Sequence, residues 1–303
     1  MILRPPTKII TLLALLFVLF TGYYPKHESF EGYEILSQRD LELESLSAAR
    51  AVVLKDIKYG ENNKQRFDIY LPVGRSAKTT KVLLLLHGGS WVRGDKSGMN
   101  SFVAVLMDRF PDHAIVNMNY TLANKKNFAF PNQFLDIQAV IGHLTHLSNE
   151  YEILPSFGII GRSAGGHLGL MYDSKYDKHD QVKFVCSIAG PTNLTDPLYS
   201  RNPEFELLRT MLIDQEAFPK EPLKELSPLY NADWYSSPRL LIYAKDDKKV
   251  PISNGLDYSK KLEEINVPNE LVLFEGGHSN TWDSEEWQVA YNNIETFVNL
   301  FLN

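Results

Sequence analysis

The sequence holds one cysteine, Cys186, so no disulfide bond can form within the chain. The cysteine and histidine spacings that are typical of zinc sites are also missing, and we expect neither a metal nor a cofactor. Nucleic acid is not expected as a partner, because 37 acidic residues outnumber 31 basic ones and the basic residues are scattered among them. The composition is that of an ordinary globular protein, with 44% hydrophobic residues, and the apolar run around Cys186 predicts a buried thiol.

A hydrophobic run long enough to cross a bilayer comfortably is missing too. Such a run needs about 20 residues, and the apolar run at residues 9–20 is shorter. It follows Arg4 and Lys8 and precedes polar residues, which is typical of a secretory signal. We predict residues 1–25 to be a signal peptide or an N-terminal membrane anchor, with cleavage left open because no Ala-x-Ala site follows. The protein is accordingly predicted to be exported, and to be periplasmic, extracellular or attached to a membrane through this segment.

The rest of the chain is predicted to hold one domain. Residues 26–50 are polar and acidic and are predicted to be a linker, and residues 51–303 are predicted to form the domain. Apolar runs such as "KVLLLLHGG" alternate there with helical stretches such as "FPNQFLDIQAVIGHL". This pattern favours an α/β fold with a mostly parallel sheet of about eight strands, flanked by helices. The polar, proline-interrupted stretch at about 191–238 is too long for an ordinary connection and predicts a small lid over the carboxyl ends of the strands.

One serine stands in a run of small residues. The stretch "FGIIGRSAGGHLGL" passes from an apolar tetrapeptide through Ser163 into residues that can start a helix. Glycine two residues before and two residues after the serine gives room for a sharp turn from strand to helix, which holds the hydroxyl outward on a strained backbone. Since this is the setting of a serine nucleophile, we predict that role for Ser163.

A serine hydroxyl is a weak nucleophile at neutral pH and needs a base within hydrogen-bond distance. His167 lies one helical turn beyond Ser163 on the same element and cannot easily fold back over it, and His179 lies in the charged surface stretch "KYDKHDQ". His278 follows the predicted strand "ELVLF" in the glycine-containing loop "FEGGHSNTW". His278 is therefore the predicted base.

The base in turn needs an acid that orients it. The predicted strand "LLIYA" is followed by Asp246 and Asp247, and either carboxylate fits by position. The residues alone leave both candidates open.

Attack on a carbonyl creates an oxyanion, which backbone amides that already point inward stabilise well. The stretch "LLLLHGGSW" places two glycines directly after a buried strand, and glycine permits the close backbone approach that such donors require. We predict an oxyanion hole formed by the amides of Gly89 and Ser90 together with the amide of Ala164, which follows the nucleophile. A plain glycine turn is the alternative for this stretch.

Six motifs occur in a fixed order along the chain: "HGGSW", "NYTL", "FPNQFLDIQAVIGHL", "GRSAGGHL", "DDKKVP" and "GGH". Together they resemble the α/β-hydrolase esterases with an HGG oxyanion motif, and most of all the branch of feruloyl, acetyl-xylan and acetyl esterases. The resemblance implies an α/β-hydrolase fold, no metal, ester substrates, and a triad of Ser163, His278 and Asp247, because the Asp-x-x-Val-Pro run that starts at Asp247 resembles the acid loop of this fold. Two departures are Arg162, where relatives more often have an acid or histidine, and Ser90, where many have a third glycine.

The sequence thus predicts a serine carboxylic-ester hydrolase that acts through an acyl-enzyme on short-acyl or carbohydrate-linked esters, with a small-molecule or glycan ester as partner. Aromatic residues of the lid are candidates either for stacking on a sugar or phenolic acid or for forming the lid's own core: Tyr199, Phe205, Phe218, Tyr230 and Trp234. The alternatives are an amidase or exopeptidase of the same fold, a non-catalytic hydrolase-like binding protein, and an enzyme that handles a lipid at a membrane.

Overall fold

The computed structural model describes residues 33–36 and 48–303. Its strands are β1 (Tyr33–Leu36), β2 (Ala51–Lys58), β3 (Arg66–Leu71), β4 (Val82–Leu86), β5 (Ala114–Met118), β6 (Phe157–Arg162), β7 (Val182–Ile188), β8 (Arg239–Ala244) and β9 (Asn269–Phe274). They form one sheet in the order β1-β2-β3-β5-β4-β6-β7-β8-β9.

The sheet is mostly parallel. The β2–β3 and β3–β5 pairs are antiparallel, and the other neighbouring strands of this sheet run parallel. Every residue of β4 and β5 is buried, as expected where helices cover both faces of a sheet. The α/β prediction is thereby confirmed. The sheet has nine strands rather than about eight, because the short strand β1, inside the predicted linker, pairs with the edge beside β2.

The α-helices are α1 (Asn100–Arg109), α2 (Asn132–His146), α3 (Ser148–Tyr151), α4 (Ala164–Lys175), α5 (Pro197–Ser200), α6 (Pro203–Leu212), α7 (Pro222–Glu225), α8 (Pro228–Asn231), α9 (Ser253–Glu264) and α10 (Ser284–Phe301). Short 3-10 helices at Lys96–Met99 and Ser279–Thr281 precede α1 and α10.

Helices α4 and α10 lie on opposite faces of the sheet. Gly169 of α4 faces Val185 of β7, whereas Phe297 of α10 packs against Phe184 of the same strand. Because successive side chains of a strand point to opposite faces, the two helices form separate layers. Helix α2 packs on α4 in the first layer, and α1 meets α10 in the second through the edge-to-face contact of Phe102 with Trp287.

The carboxyl ends of the parallel strands carry the loops that matter for function. His87 directly follows β4, Ser163 follows β6, and the loops after β8 and β9 carry Asp247 and His278. Parallel strands place these four loops at one edge of the sheet, which is where ligands bind in open α/β sheets.

The segment between β7 and β8 contains α5 to α8 and corresponds to the predicted lid. It contacts the loop before α2 and the first turn of α9, since the Phe130 amide donates to the Leu212 carbonyl oxygen at 2.9 Å. A second tie is the Thr192 amide, which donates to Asn254 Oδ1 at 2.8 Å.

The aromatic residues of the lid divide into two groups. Tyr199, Phe205 and Phe218 are buried in the main hydrophobic cluster, whereas Tyr230 and Trp234 are exposed. The first group therefore serves the lid's own packing, which is one of the two interpretations that the sequence left open.

Among the described residues, no helix combines the length and hydrophobicity of a transmembrane span. The predicted signal peptide or anchor at residues 1–25 lies outside the described residues, so it stays a prediction.

Candidate active site

Ser163 occupies a strained turn between β6 and α4. Its backbone has φ 53° and ψ −120°, a conformation that non-glycine residues rarely adopt. The flanking glycines are needed because a Cβ on Gly161 would lie 2.3 Å from the Gly165 carbonyl oxygen, and a Cβ on Gly165 would lie 2.2 Å from the Leu86 carbonyl oxygen. The sequence thus folds here into the sharp strand-to-helix turn that its glycine spacing predicts.

Three side chains meet at this turn. Ser163 Oγ lies 3.1 Å from His278 Nε2, and His278 Nδ1 lies 2.6 Å from Asp247 Oδ2. A carboxylate only accepts hydrogen bonds, so Nδ1 carries a proton and its N–H donates a hydrogen bond to Asp247. In the neutral imidazole Nε2 then carries no proton and accepts a hydrogen bond from the hydroxyl of Ser163. This tautomer prepares His278 to take a proton from the serine.

Asp247 is nearly buried, with 5% of its surface exposed. Its other oxygen, Oδ1, accepts hydrogen bonds from the backbone amides of Lys249 and Val250 at 2.8 and 3.0 Å. Burial alone raises the pKa of Asp247, but the hydrogen bonds from His278 and from these amides outweigh it, so the pKa lies below its ordinary value. Asp247 is therefore a fixed negative charge behind the imidazole.

The structure separates the other candidates from this chain of hydrogen bonds. The side chain of Asp246 is exposed, and its neighbour Asp247 contacts His278. His179 is exposed on the surface. His167 is fully buried, where Trp91 Nε1 donates to its Nδ1 at 3.2 Å and its Nε2 lies 2.7 Å from the Leu226 carbonyl oxygen.

The residues after β4 form a loop that we name the HGG loop (residues 87–94). His87 Nδ1 lies 2.7 Å from the Gly88 carbonyl oxygen and therefore donates to it. The amides of Val92 and Arg93 donate to the Gly89 carbonyl oxygen at 3.2 and 3.0 Å. In a trans peptide the N–H points opposite to the C=O. The amides of Gly89 and Ser90 therefore point away from the hydrogen bonds that the carbonyl oxygens of Gly88 and Gly89 accept.

The HGG loop consequently offers two backbone donors. The amides of Gly89 and Ser90 make no backbone hydrogen bond in the part of the chain that the structure describes. Ala164 is the first residue of α4, and a first-turn helix amide has no partner within its helix. Gly89 and Ser90 line the cleft that holds Ser163, and Ala164 directly follows Ser163. The three amides are therefore available as donors, and the oxyanion hole that they would form stays a prediction.

Buried polar side chains hold the HGG loop in a strained conformation. Ser90 and Trp91 have φ values of 52° and 64°, in the left-handed region. Tyr120 donates to the His87 carbonyl oxygen at 2.7 Å, and Gln133 Nε2 donates to the Trp91 carbonyl oxygen at 2.7 Å. Such bonds are needed to maintain a loop of this shape.

The sequence alone indicates no separate role for Tyr120, Gln133 or Trp91. One signal was available, because Gln133 interrupts the apolar face of the helical stretch "FPNQFLDIQAVIGHL". A buried amide must find partners, and Gln133 is fully buried. The identity of those partners, 42 residues away in sequence for Trp91, needed the structure.

A cleft of about 480 Å³ opens beside Ser163 and His278. Its charged lining residues are Arg93, Asp95, Arg162 and Lys249. No described residue of the lid lines this cleft. Its wall instead comes from the HGG loop, the residues up to Gly98, the serine turn and the two loops that carry the acid and the base.

Comparison with curated proteins finds relatives among hydrolases. The chain is 28% identical to kynurenine formamidase of Danio rerio over 150 residues, which cover 47% of this chain and 48% of that protein. It is 20% identical to esterase LipC of Mycobacterium tuberculosis over 235 residues, which cover 73% of this chain and 58% of that protein. The chain spans about half the length of the curated relatives it matches.

Comparison with solved structures supports the fold. A truncated form of a carbohydrate esterase from gut microbiota superposes with a TM-score of 0.68 at 18% identity, covering 84% of this chain and 99% of that one. Esterase B from Lactobacillus rhamnosis gives a TM-score of 0.65 at 17% identity, covering 86% of this chain and 90% of that one. These likenesses show the α/β-hydrolase fold.

The model of the BD-FAE family matches residues 67–262, which is more than half of the 303 residues. The match begins in β3 and includes the HGG loop, the serine turn and the loop of Asp247. The chain belongs to the BD-FAE family of α/β-hydrolases.

Proposed function

We propose that the protein is a serine carboxylic-ester hydrolase. The observation that carries this proposal is the hydrogen-bonded chain from Ser163 through His278 to Asp247, with distances of 3.1 and 2.6 Å. It lies beside free backbone amides in an open cleft, so nucleophile, base, orienting acid and oxyanion donors are available together. The esterases among its relatives and structural neighbours support the same reaction class.

In the first half of the reaction Ser163 Oγ attacks the ester carbonyl carbon while His278 Nε2 takes the hydroxyl proton. The negative charge of Asp247 stabilises the imidazolium that forms. The carbonyl oxygen becomes an oxyanion and accepts hydrogen bonds from the amides of Gly89, Ser90 and Ala164. The intermediate then collapses, the bond to the alcohol oxygen breaks, and His278 returns the proton to the departing alcohol.

In the second half a water molecule attacks the acyl group on Ser163. His278 takes a proton from this water, and the same amides hold the second oxyanion. Collapse breaks the bond to the serine oxygen, which regains its proton from the imidazolium. The products are one carboxylic acid and one alcohol, and the enzyme returns to its starting state.

The substrate class we favour is a short-acyl or carbohydrate-linked ester. One structural neighbour is described as a carbohydrate esterase from gut microbiota, and another as a bifunctional GH43-CE protein of Bacteroides eggerthii. The cleft is open to solvent, and its lining residues are glycines and residues with polar or charged side chains, which suits a short acyl group on a hydrated alcohol. The predicted export through residues 1–25 fits a substrate outside the cell, and we retain it as part of the proposal.

Amide hydrolysis is the second candidate, because two kynurenine formamidases, from Danio rerio and Salmo salar, are among the curated relatives. The same triad would serve, with the amine nitrogen as leaving group in place of the alcohol oxygen. Turnover of matched ester and anilide substrates with the same acyl group separates the two activities. Faster anilide turnover would favour the amidase.

A non-catalytic binding protein of this fold is the third alternative. It would be favoured by a His278 or Asp247 side chain that points away from Ser163. Both hydrogen bonds instead join the three side chains, which supports an enzyme.

The test is replacement of the nucleophile. Ser163→Ala should abolish turnover of p-nitrophenyl acetate and should prevent labelling by a fluorophosphonate, followed as the mass gain of the intact protein. Ser101→Ala, which removes an exposed hydroxyl on α1, should retain both properties. Full labelling or turnover in Ser163→Ala would refute the proposal.

A further inference from the structure

Arg162, which precedes Ser163, is a cation at the wall of the cleft without a carboxylate partner. It is partly buried, and no ion pair or side-chain hydrogen bond joins it to an acidic residue within residues 33–36 and 48–303. Burial lowers the pKa of Arg162, and the phenol of Tyr291 only partly offsets this effect. A guanidinium that is partly withdrawn from water loses hydration, and an anion bound beside it would compensate that loss.

Two further side chains at the cleft wall are also positively charged. Lys249, on the loop of Asp247, and Arg93, on the HGG loop, are exposed at its wall without an ion-pair partner in the described part of the chain. The carboxylate of Asp95 is already engaged, because Lys64 Nζ donates to it at 2.8 Å and the Asn119 amide group donates to it at 2.9 Å. The cleft is therefore locally positive.

This local charge contrasts with the whole chain, whose net charge is −6. A positive cleft in an acidic protein attracts anions to that place and leaves the rest of the surface repulsive to them.

We propose that the ester hydrolysed here carries a second, anionic group, a carboxylate that Arg162 binds while Ser163 attacks the ester. The inference rests on the proposed ester hydrolase and adds its substrate class: half-esters of dicarboxylic acids, or esters of hydroxy acids and acidic sugars. A guanidinium binds a carboxylate through two parallel hydrogen bonds, so it orients the substrate as well as attracting it. Lys249 and Arg93 contribute through their charge.

Two pairs of probes test the inference. Para-acetoxybenzoate and para-acetoxybenzamide differ by one charge on the alcohol part, and monomethyl glutarate and methyl glutaramate differ by one charge on the acyl part. For each pair the ratio of kcat/KM values is divided by the same ratio for alkaline hydrolysis, which removes the intrinsic reactivity. The protein should prefer the carboxylate by about tenfold in at least one pair. The preferred pair identifies the part of the ester that carries the anion.

Variants then assign the preference to the cleft. Arg162→Gln should reduce it to near unity, while Arg162→Lys should keep part of it, because the charge remains and the paired hydrogen bonds are lost. Lys249→Gln should reduce it less than Arg162→Gln does. Lys248→Gln is the matched control, an exposed lysine on the same loop that does not line the cleft, and should leave the ratio unchanged.

The outcomes separate this inference from the proposed function. If wild type hydrolyses both members of each pair with no preference, or if Arg162→Gln keeps the wild-type preference, the inference is wrong and the ester hydrolase stands. If wild type hydrolyses none of the four esters and p-nitrophenyl acetate is also stable, the proposed function itself fails. Added sodium chloride should weaken a true preference, because it screens partly exposed charges.

Discussion

The two loops that meet at Ser163 are held in different ways. The side chains of His87 and Trp91 in the HGG loop are buried. The loop forms hydrogen bonds with the side chains of Tyr120, Gln133 and His167. The loop that carries the base, which we name the histidine loop (residues 275–282), is exposed along much of its length.

The histidine loop is tied mainly to the neighbouring loop of Asp247, since the Asp246 amide donates to the Gly276 carbonyl oxygen at 2.9 Å. Gly276 has φ 80° with no atom near the position of a Cβ. Trp282 Nε1 donates to the Gly277 carbonyl oxygen at 3.0 Å, and Asp247 holds the imidazole of His278.

The difference matches what each loop has to do. Backbone donors stabilise a developing charge best when they are fixed before the reaction. An imidazole that takes protons from serine and water and returns them needs contact with substrate and solvent. Buried side chains thus support the backbone donors, whereas the loop that carries the base is accessible to solvent.

The largest loss of activity is expected from a substitution in the histidine loop. His278→Gln keeps a polar side chain but removes the base, and it should lower kcat for p-nitrophenyl acetate by about 10⁴-fold or more, the scale seen when a triad member is lost. Unfolding temperature should change little because His278 lies at the cleft. His179→Gln removes an exposed histidine and should behave as wild type. Comparable activity in His278→Gln would exclude the imidazole as the base.

The next largest loss of activity is expected from a substitution in the HGG loop. A Cβ on Gly89 would lie 1.9 Å from the Arg93 carbonyl oxygen, and the residue has φ 134°. Gly89→Ala must therefore shift the loop and its donors, and kcat should fall by about 10²-fold or more. KM and fluorophosphonate labelling show whether the cleft and nucleophile remain intact.

Gly142→Ala provides the control for this variant. Gly142 lies in α2 with open space around a Cβ, so alanine there should leave kcat unchanged and stabilise the protein by about 1 kcal/mol. Wild-type kcat in Gly89→Ala would mean that the donors do not depend on this loop conformation.

Local signals predicted the parts of the site that one stretch of sequence contains. Glycines on both sides of Ser163 specify a tight turn, and chain order after the serine narrowed the base to His278. Strand β1 was missed, because "YEIL" is only four residues long and lies among polar residues. The contact between Trp91 and His167 joins residues 76 positions apart, and no local pattern specifies such a pair.

The smallest effect on turnover at neutral pH is expected from substitution of His167. This substitution also tests whether the buried imidazole supports the HGG loop. Burial lowers its pKa from 6.5 to about 4. Below pH 6.5 the unfolded chain therefore takes up a proton that the folded protein excludes, and the free energy of unfolding falls as the pH drops toward 4.

His167→Gln should lose stability at pH 7, where hydrogen bonds to Trp91 and Leu226 are disturbed, but it should lack this acid-dependent loss. The gap in unfolding free energy between wild type and variant should thus shrink by on the order of 3 kcal/mol between pH 7 and pH 4. Denaturant unfolding at several pH values measures it. Burial also lowers the pKa of His87 to about 4. His87 is present in both proteins, so its contribution to the pH dependence of the unfolding free energy is similar in both. A gap that stays constant with pH would mean that His167 titrates in the folded protein, and the HGG loop would then not rest on a neutral, buried imidazole.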